Sequence, residues 1–102
     1  MASKWELITQ GIGRQGRGAG DPYHTVTVRV ERHPSLGLRI RAEEEWGSDQ
    51  GSYDEPHGRI GPISAFGGTY AEARAELVAL AREAGIHFAL LLEALDDAET
   101  SL

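Results

Sequence analysis

Strict alternation of apolar and polar residues over positions 24–32, repeated over 36–42, is the feature that most constrains the fold of this chain. In HTVTVRVER (24–32), valine recurs at every second position and polar or charged residues fill the positions between. LGLRIRA (36–42) repeats the pattern, with apolar residues on one side and Arg39 and Arg41 on the other. A period of two with β-branched residues is typical of strands with one buried face. The short proline-containing link between the two segments therefore predicts an antiparallel hairpin.

Two further segments are predicted to join this hairpin as strands. KWELITQ (4–10) is rich in β-branched and aromatic residues, and RIGPISAF (59–66) resumes an apolar pattern. Pro62 confines the second segment to an edge or a bulge of the sheet. Segments 11–22 and 43–58 collect Gly, Ser, Asp and Pro, which predicts that both are mobile loops.

The clearest helix signal begins at Thr69. A glutamate follows three residues later, which makes a capping box, and apolar residues then recur at helical spacing. Gly85 stands where a left-handed C-terminal cap belongs. The pattern predicts a helix over 70–84 and a second short helix over 87–98. A strand over 86–92 and one unbroken helix through the glycine are the alternatives.

These elements predict an α+β fold in a single domain of 102 residues. An antiparallel sheet of three or four strands is expected to be packed on one face by helix 70–84, because sheet and helix each have one apolar face to bury. The predicted core consists of Trp5, Val26, Val28, Val30, Leu36, Leu38, Ile40, Ile60, Ile63, Leu77 and Leu80.

Gly11, Gly13 and Gly16 have the G-x-G-x-x-G spacing of a dinucleotide-binding loop. Such a loop needs a helix directly after the glycines, because the helix N-terminus binds the pyrophosphate. Here more glycines follow and then Asp21 and Pro22, a composition that does not start a helix. We therefore expect a connecting loop and no nucleotide cofactor.

The composition excludes several classes of protein. The chain has no cysteine, which excludes disulfides, thiolate nucleophiles and zinc–thiolate sites and fits a reducing cytoplasm best. No apolar run reaches about 18 residues, so we expect no membrane partner. The four histidines are scattered and the serines lack a neighbouring base, so the sequence predicts no metal site and no enzyme.

Positive charge is concentrated in the first part of the chain. Residues 1–42 carry seven basic and three acidic side chains, and residues 43–102 carry three basic and thirteen acidic ones, for a net charge of −6. Five arginines are candidates for contact with phosphate or with an acidic partner: Arg14, Arg17, Arg29, Arg39 and Arg41. Nucleic-acid binding is thus an alternative, although both hairpin strands lack aromatic residues for base stacking. The simpler interpretation is a solvated face on which Glu31 and Glu43 pair with the arginines.

Apolar residues in the C-terminal segment exceed what one helix face buries. Leaving several of them exposed would create a patch that monomers seldom tolerate, so we expect a twofold homodimer through this segment. Aromatic residues in the predicted loop are further anchors for another protein, unless Trp46 folds back over the sheet. The predicted function is a non-enzymatic protein-interaction or regulatory module, with a small ligand-binding domain or an enzyme of unknown class as a remaining alternative. The predicted partner-binding residues are Trp46, Tyr53, Phe88, Leu91 and Leu95.

The segment GGTYAEARAEL (67–77) resembles the helix start of HicB-type antitoxin domains, in which strands lead into a G-x-T-x-x-E-A motif. The resemblance covers roughly a tenth of the chain. It implies a β-β-β-α order of elements. Those domains usually add a DNA-binding segment, and none is evident in this sequence.

Overall fold

Four strands followed by two helices make up the protein in a computed structural model that describes residues 4–16, 22–50 and 53–102. The strands form one antiparallel sheet in the order β1-β2-β3-β4, and both helices pack against it. This arrangement confirms the predicted α+β fold. The elements are β1 (Glu6–Gln15), β2 (Pro22–His33), β3 (Gly37–Gln50), β4 (Tyr53–Gly67), α1 (Tyr70–Ala84) and α2 (Phe88–Glu99).

The β2–β3 hairpin forms with the alternation that the sequence predicts. Val28 lies opposite Ala42, and Val30 lies opposite Ile40. All four side chains are buried beneath the helices, on the side of the sheet that we call the inner face. Because side chains alternate along a strand, the arginines between these residues lie on the opposite side, which we call the outer face.

The strands extend into segments that were predicted to be loops. Residues 11–15 continue β1, while residues 43–50 and 53–58 belong to β3 and β4, so the loop prediction is wrong for them. The physical reason is backbone pairing, because a neighbouring strand satisfies main-chain hydrogen bonds whatever the side chains are. Bulges after Ala42 and after Trp46 interrupt the β3–β4 ladder, so the two strands stay paired although this segment lacks a regular alternation. Of the predicted loops, residues 17–21 and 51–52 lie outside the described part of the chain.

Three residues predicted for the core lie outside it: Leu36, Trp5 and Leu38, of which Leu38 is partly buried. The turn between β2 and β3 ends at Leu36, one residue before β3 begins, and its side chain is 64% exposed. Trp5 precedes β1 and lies beneath the guanidinium of Arg39, which belongs to the outer face. The error at Leu36 arises because the period-two pattern was extended to one residue before the start of β3, and the error at Trp5 because the predicted first strand began before β1 does.

Helix α1 begins and ends at the predicted signals. The hydroxyl oxygen of Thr69 accepts a hydrogen bond from the backbone N–H of Glu72 at 3.2 Å. Gly85 adopts a left-handed conformation with φ of 86°, and the N–H of Ile86 closes the cap onto α1 at 3.0 Å. The chain therefore breaks between the two helices, which excludes both the unbroken helix and the strand over 86–92.

The N-cap of α1 can be tested by replacing Thr69 with alanine. Thr69→Ala removes the side-chain acceptor for the N–H of Glu72, so we expect the free energy of unfolding to fall by about 1 kcal/mol. Urea denaturation followed by circular dichroism measures this change. Ser101→Ala is the control, because it removes an exposed hydroxyl that has no hydrogen bond with the described residues, and it should change stability by less than about 0.5 kcal/mol. Equal effects of the two substitutions would contradict the capping role.

Helix α2 lies closely on β1 because that strand presents glycine to it. A side chain at Gly11 would overlap the carbonyl oxygen of Ala94, and one at Gly13 would overlap the carbonyl oxygen of Leu90. Beside them, the hydroxyl of Thr9 donates a hydrogen bond to the carbonyl of Ala98 at 3.1 Å. The G-x-G spacing in β1 therefore serves helix packing within a strand, and the predicted connecting loop does not include these two glycines.

The two helices are also tied to each other. The hydroxyl of Tyr70 donates a hydrogen bond to the carbonyl of Leu95 at 2.8 Å. Burial raises the pKa of Tyr70, which favours the protonated form that donates this bond. Arg74 contacts Asp96 at 3.0 Å and Glu99 at 3.4 Å. These contacts hold α1 and α2 as a pair over the inner face.

Candidate functional site

The outer face of the sheet is the candidate functional site, because both helices pack on the inner face. The strand register brings polar, charged and apolar side chains together there in rows that cross the sheet. Its residues, taken strand by strand, are Trp5, Leu7, Gln10, Ile12, Arg14, Tyr23, Thr25, Thr27, Arg29, Glu31, Arg39, Arg41, Glu43, Glu45, Arg59, Ser64 and Phe66.

The centre of the outer face carries two arginines side by side. Arg29 in β2 lies directly opposite Arg41 in β3. Neither guanidinium has an ion pair with any described residue. Both border an open cavity of about 190 Å³, which Thr27 and Glu43 also line. The centre is therefore a positively charged site that can accept a carboxylate or another anionic group.

One end of the outer face is aromatic and apolar. Trp5 packs against Phe66 with ring centroids 5.9 Å apart. The guanidinium carbon of Arg39 lies 4.2 Å from the centroid of the Trp5 ring and the same side chain binds Glu31 at 2.9 Å. Phe66 is 48% exposed and Leu7 is 50% exposed, so this end presents apolar surface to solvent.

The opposite end of the outer face is polar. Arg59 and Glu45 form an ion pair at 3.4 Å, in which the arginine side chain is 60% exposed. Arg14 lies near them and lines a second open cavity of about 200 Å³ together with Thr25. Thr27 and Glu43 line both cavities, so the two form a continuous depression along the outer face.

The arginines predicted to contact phosphate or an acidic partner largely share this face. Arg14, Arg29, Arg39 and Arg41 all lie on the outer face, whereas Arg17 falls outside the described residues. The cross-strand ion pair expected for Glu31 is present in its contact with Arg39, and no such pair with Glu43 occurs among the described residues. Arg39 is thus neutralised within the chain, whereas Arg29 and Arg41 have no ion pair with a described residue.

The predicted partner-binding residues on α2 differ in exposure. Leu91 and Leu95 are completely buried in the chain's own core, so they are not part of the exposed apolar patch from which the dimer was predicted. The sheet has room for them because α2 covers β1 and β2 while α1 covers β3 and β4. Phe88 is 43% exposed at the start of α2, with the guanidinium of Arg82 over its ring at 5.2 Å.

The two aromatic residues of the predicted loop have different outcomes. Trp46 lies on the inner face, half-buried, and its indole covers Gly58 of β4, where any side chain would overlap the ring. This placement matches the alternative in which Trp46 folds back over the sheet. The side chain of Tyr53 lies outside the described part of the structure.

A buried acidic group on the inner face was not predicted. Glu44 is 4% exposed, and one of its oxygens accepts the backbone N–H of His87 at 2.7 Å, directly before α2. The other oxygen lies 2.9 Å from Nδ1 of His24, whose ring stacks on Trp46. A carboxylate at the start of a helix is stabilised by the helix dipole. Because both oxygens are occupied, Glu44 fixes the position of α2.

The alternation along β3 is the signal that would have found this group. Glu44 has the same parity as Ile40 and Ala42, but the loop predicted over 43–58 placed it outside the strand. Within the described residues, no group of three or more His, Asp or Glu side chains is placed to hold a metal ion.

No family model, no curated protein and no solved structure matches the chain.

In the described part of the chain, neither helix is long and apolar enough to cross a membrane.

Proposed function

We propose that this chain is a non-enzymatic protein-interaction module and that the outer face of its sheet is the binding surface. The observation that carries the proposal is the Arg29–Arg41 pair, which lies side by side on two rigid strands without an ion-pair partner among the described residues. Like charges at directly opposed positions destabilise a sheet. A carboxylate supplied by a partner would remove that repulsion and form charge-assisted hydrogen bonds with the guanidinium groups.

The aromatic end of the outer face supports the same proposal. Binding energy at protein interfaces is concentrated in a few residues, among which tryptophan and arginine are enriched. Trp5, Phe66 and Arg39 form such a cluster beside the arginine pair, and Phe66 remains about half-exposed. A protein partner would cover this apolar surface and the arginine pair together. The absence of cysteine leads us to propose a reducing compartment, the cytoplasm, for this interaction.

Nucleic-acid binding is the weaker proposal, because three carboxylates among the described side chains share the outer face with the arginines and would repel phosphate. They are Glu31, Glu43 and Glu45. We expect no retention of random-sequence DNA at about 50 mM salt, where phosphate contacts are strongest. A gel-shift titration measures this. DNA binding that weakens with salt and is lost in Arg29→Glu would support the nucleic-acid alternative instead.

The binding surface can be located by photo-crosslinking in cells that express the chain. A photoreactive phenylalanine analogue at Ser64 reports on the outer face, and the same analogue at Glu83 on the exposed surface of α1 is the control. We expect protein adducts from Ser64 and few from Glu83, with the Ser64 adducts lost when Arg29 and Arg41 are both replaced by alanine. Adducts that form at Glu83 alone, or that nuclease removes, would contradict the proposal.

A further inference from the structure

We infer that the partner on the outer face is a second copy of this chain, and that the two sheets pack face to face about a twofold axis. The inference rests on the proposed function of the outer face. Its basis is the order of charge over residues 39–45 of β3, where the outward side chains are two arginines followed by two glutamates: Arg39, Arg41, Glu43 and Glu45. Read in the opposite direction, the same strand presents two negative charges and then two positive ones. Two such strands that run antiparallel therefore place opposite charges against each other.

An antiparallel arrangement of two β3 strands uses this complementarity. When a second sheet is turned about an axis that lies parallel to the sheets and perpendicular to the strands, its β3 runs in the opposite direction. Arg41 then faces Glu43 of the second copy, and Arg39 faces Glu45 of the second copy. Each contact occurs twice, as a closed twofold interface requires. Face-to-face sheets lie about 10 Å apart, a distance that two long charged side chains bridge.

The other in-plane twofold axis gives the opposite result. An axis along the strands keeps each row of residues facing its own row in the second copy. The Arg29–Arg41 row would then meet itself, and four guanidinium groups would be brought together. Juxtaposed like charges oppose association, so the charge pattern selects the antiparallel pair.

The two central groups of this pairing, Arg41 and Glu43, are available for it. The outer groups, Arg39 and Glu45, already have ion pairs within their own chain. Arg41 and Glu43 have no ion pair with any described residue, so neither must break an internal contact to bind the second copy. Both line the open cavity beside Thr27, which leaves room for a side chain from a facing sheet. The same pairing therefore relieves the repulsion within the arginine row.

The neighbouring strand β4 is compatible with the same arrangement. Phe66 lies in the row of Arg39, and Arg59 lies in the row of Glu45. In the antiparallel pair these rows face each other, so the exposed ring of Phe66 faces Arg59 of the second copy. A guanidinium over an aromatic ring is a favourable contact.

Sedimentation equilibrium of charge-reversal variants tests the inference. We expect the parent to dimerise from 11.1 kDa to twice that mass over about a hundredfold range of concentration, more weakly as salt rises. Arg41→Glu and Glu43→Arg should each raise the dissociation constant at least about tenfold, because each brings like charges together. An equimolar mixture of the two variants should form a heterodimer, since two neighbouring carboxylates on one copy then face two neighbouring guanidinium groups on the other.

Controls separate loss of the interface from loss of the fold. Arg82→Glu and Glu76→Arg make the same changes in net charge on α1 and should dimerise like the parent. In the double variant Arg41→Glu with Glu43→Arg, residues 41 and 43 again carry opposite charges and face each other across the pair, so this variant should also dimerise. It keeps the test valid if one of the single variants fails to fold. A parent that stays monomeric throughout, or a mixture and a double variant that both stay monomeric, overturns the inference. If adducts to a different protein still form at Ser64, the proposed function survives that result.

Discussion

Gly13→Ala is expected to lower the free energy of unfolding by about 3 kcal/mol or more. A methyl group at this position would occupy the space of the Leu90 carbonyl oxygen, which belongs to the backbone of α2 and cannot rotate away. The helix would have to move off β1, and the buried contacts of its core residues would loosen with it. Chemical denaturation measures the loss, and near-UV circular dichroism reports whether the packing of α2 is altered.

Gly68→Ala is the matched control for this substitution. A side chain at Gly68 meets nothing closer than a carboxylate oxygen of Glu72 at 3.9 Å, so the added methyl group has room. We expect a change within about 1 kcal/mol, of either sign, because alanine also restricts the unfolded chain. If Gly13→Ala were as stable as Gly68→Ala, the close approach of α2 to β1 would be wrong.

Short-range chemistry explains which parts of the fold were predictable from the sequence. The alternation of Val26, Val28 and Val30 and the capping of α1 by Thr69 each depend on residues within a few positions of one another. Gly13 depends instead on Leu90, far along the chain, and its local neighbours are those of a turn. Strand pairing converted this glycine-rich segment into an edge of the sheet, which no local propensity indicates.

The sequence predicts which arginines lie on the outer face, but it does not predict which of them pair with other side chains. The arginines on the outer face follow from parity alone, so Arg29, Arg39 and Arg41 could be placed on one side of the hairpin from the sequence. The pairing of Arg39 with Glu31, which leaves Arg41 without an ion pair to any described residue, needs the strand register. The burial of Leu91 was not predictable from local pattern, because the core has room for this side chain only when both helices pack on one sheet.

Glu44→Ala is expected to lower the free energy of unfolding by about 2–4 kcal/mol. The backbone N–H of His87 loses its acceptor at 2.7 Å in a part-buried position, and the start of α2 loses a carboxylate that its dipole favours. His24 loses its partner as well, although its side chain is 39% exposed and can be hydrated instead. The unsatisfied N–H and the helix terminus therefore account for most of the expected loss.

Glu44→Gln and Glu45→Ala distinguish this role from a general effect of charge. Glutamine keeps a carbonyl oxygen for the N–H of His87, so its cost should be clearly smaller than that of alanine. Glu45 is the next residue on the outer face, where its ion pair with Arg59 is solvated, so Glu45→Ala should cost less than about 1 kcal/mol. Hydrogen exchange at the amide of His87 gives a local readout, because that N–H should lose protection in Glu44→Ala and retain most of it in Glu44→Gln. Unchanged protection in Glu44→Ala would show that the carboxylate does not hold the start of α2.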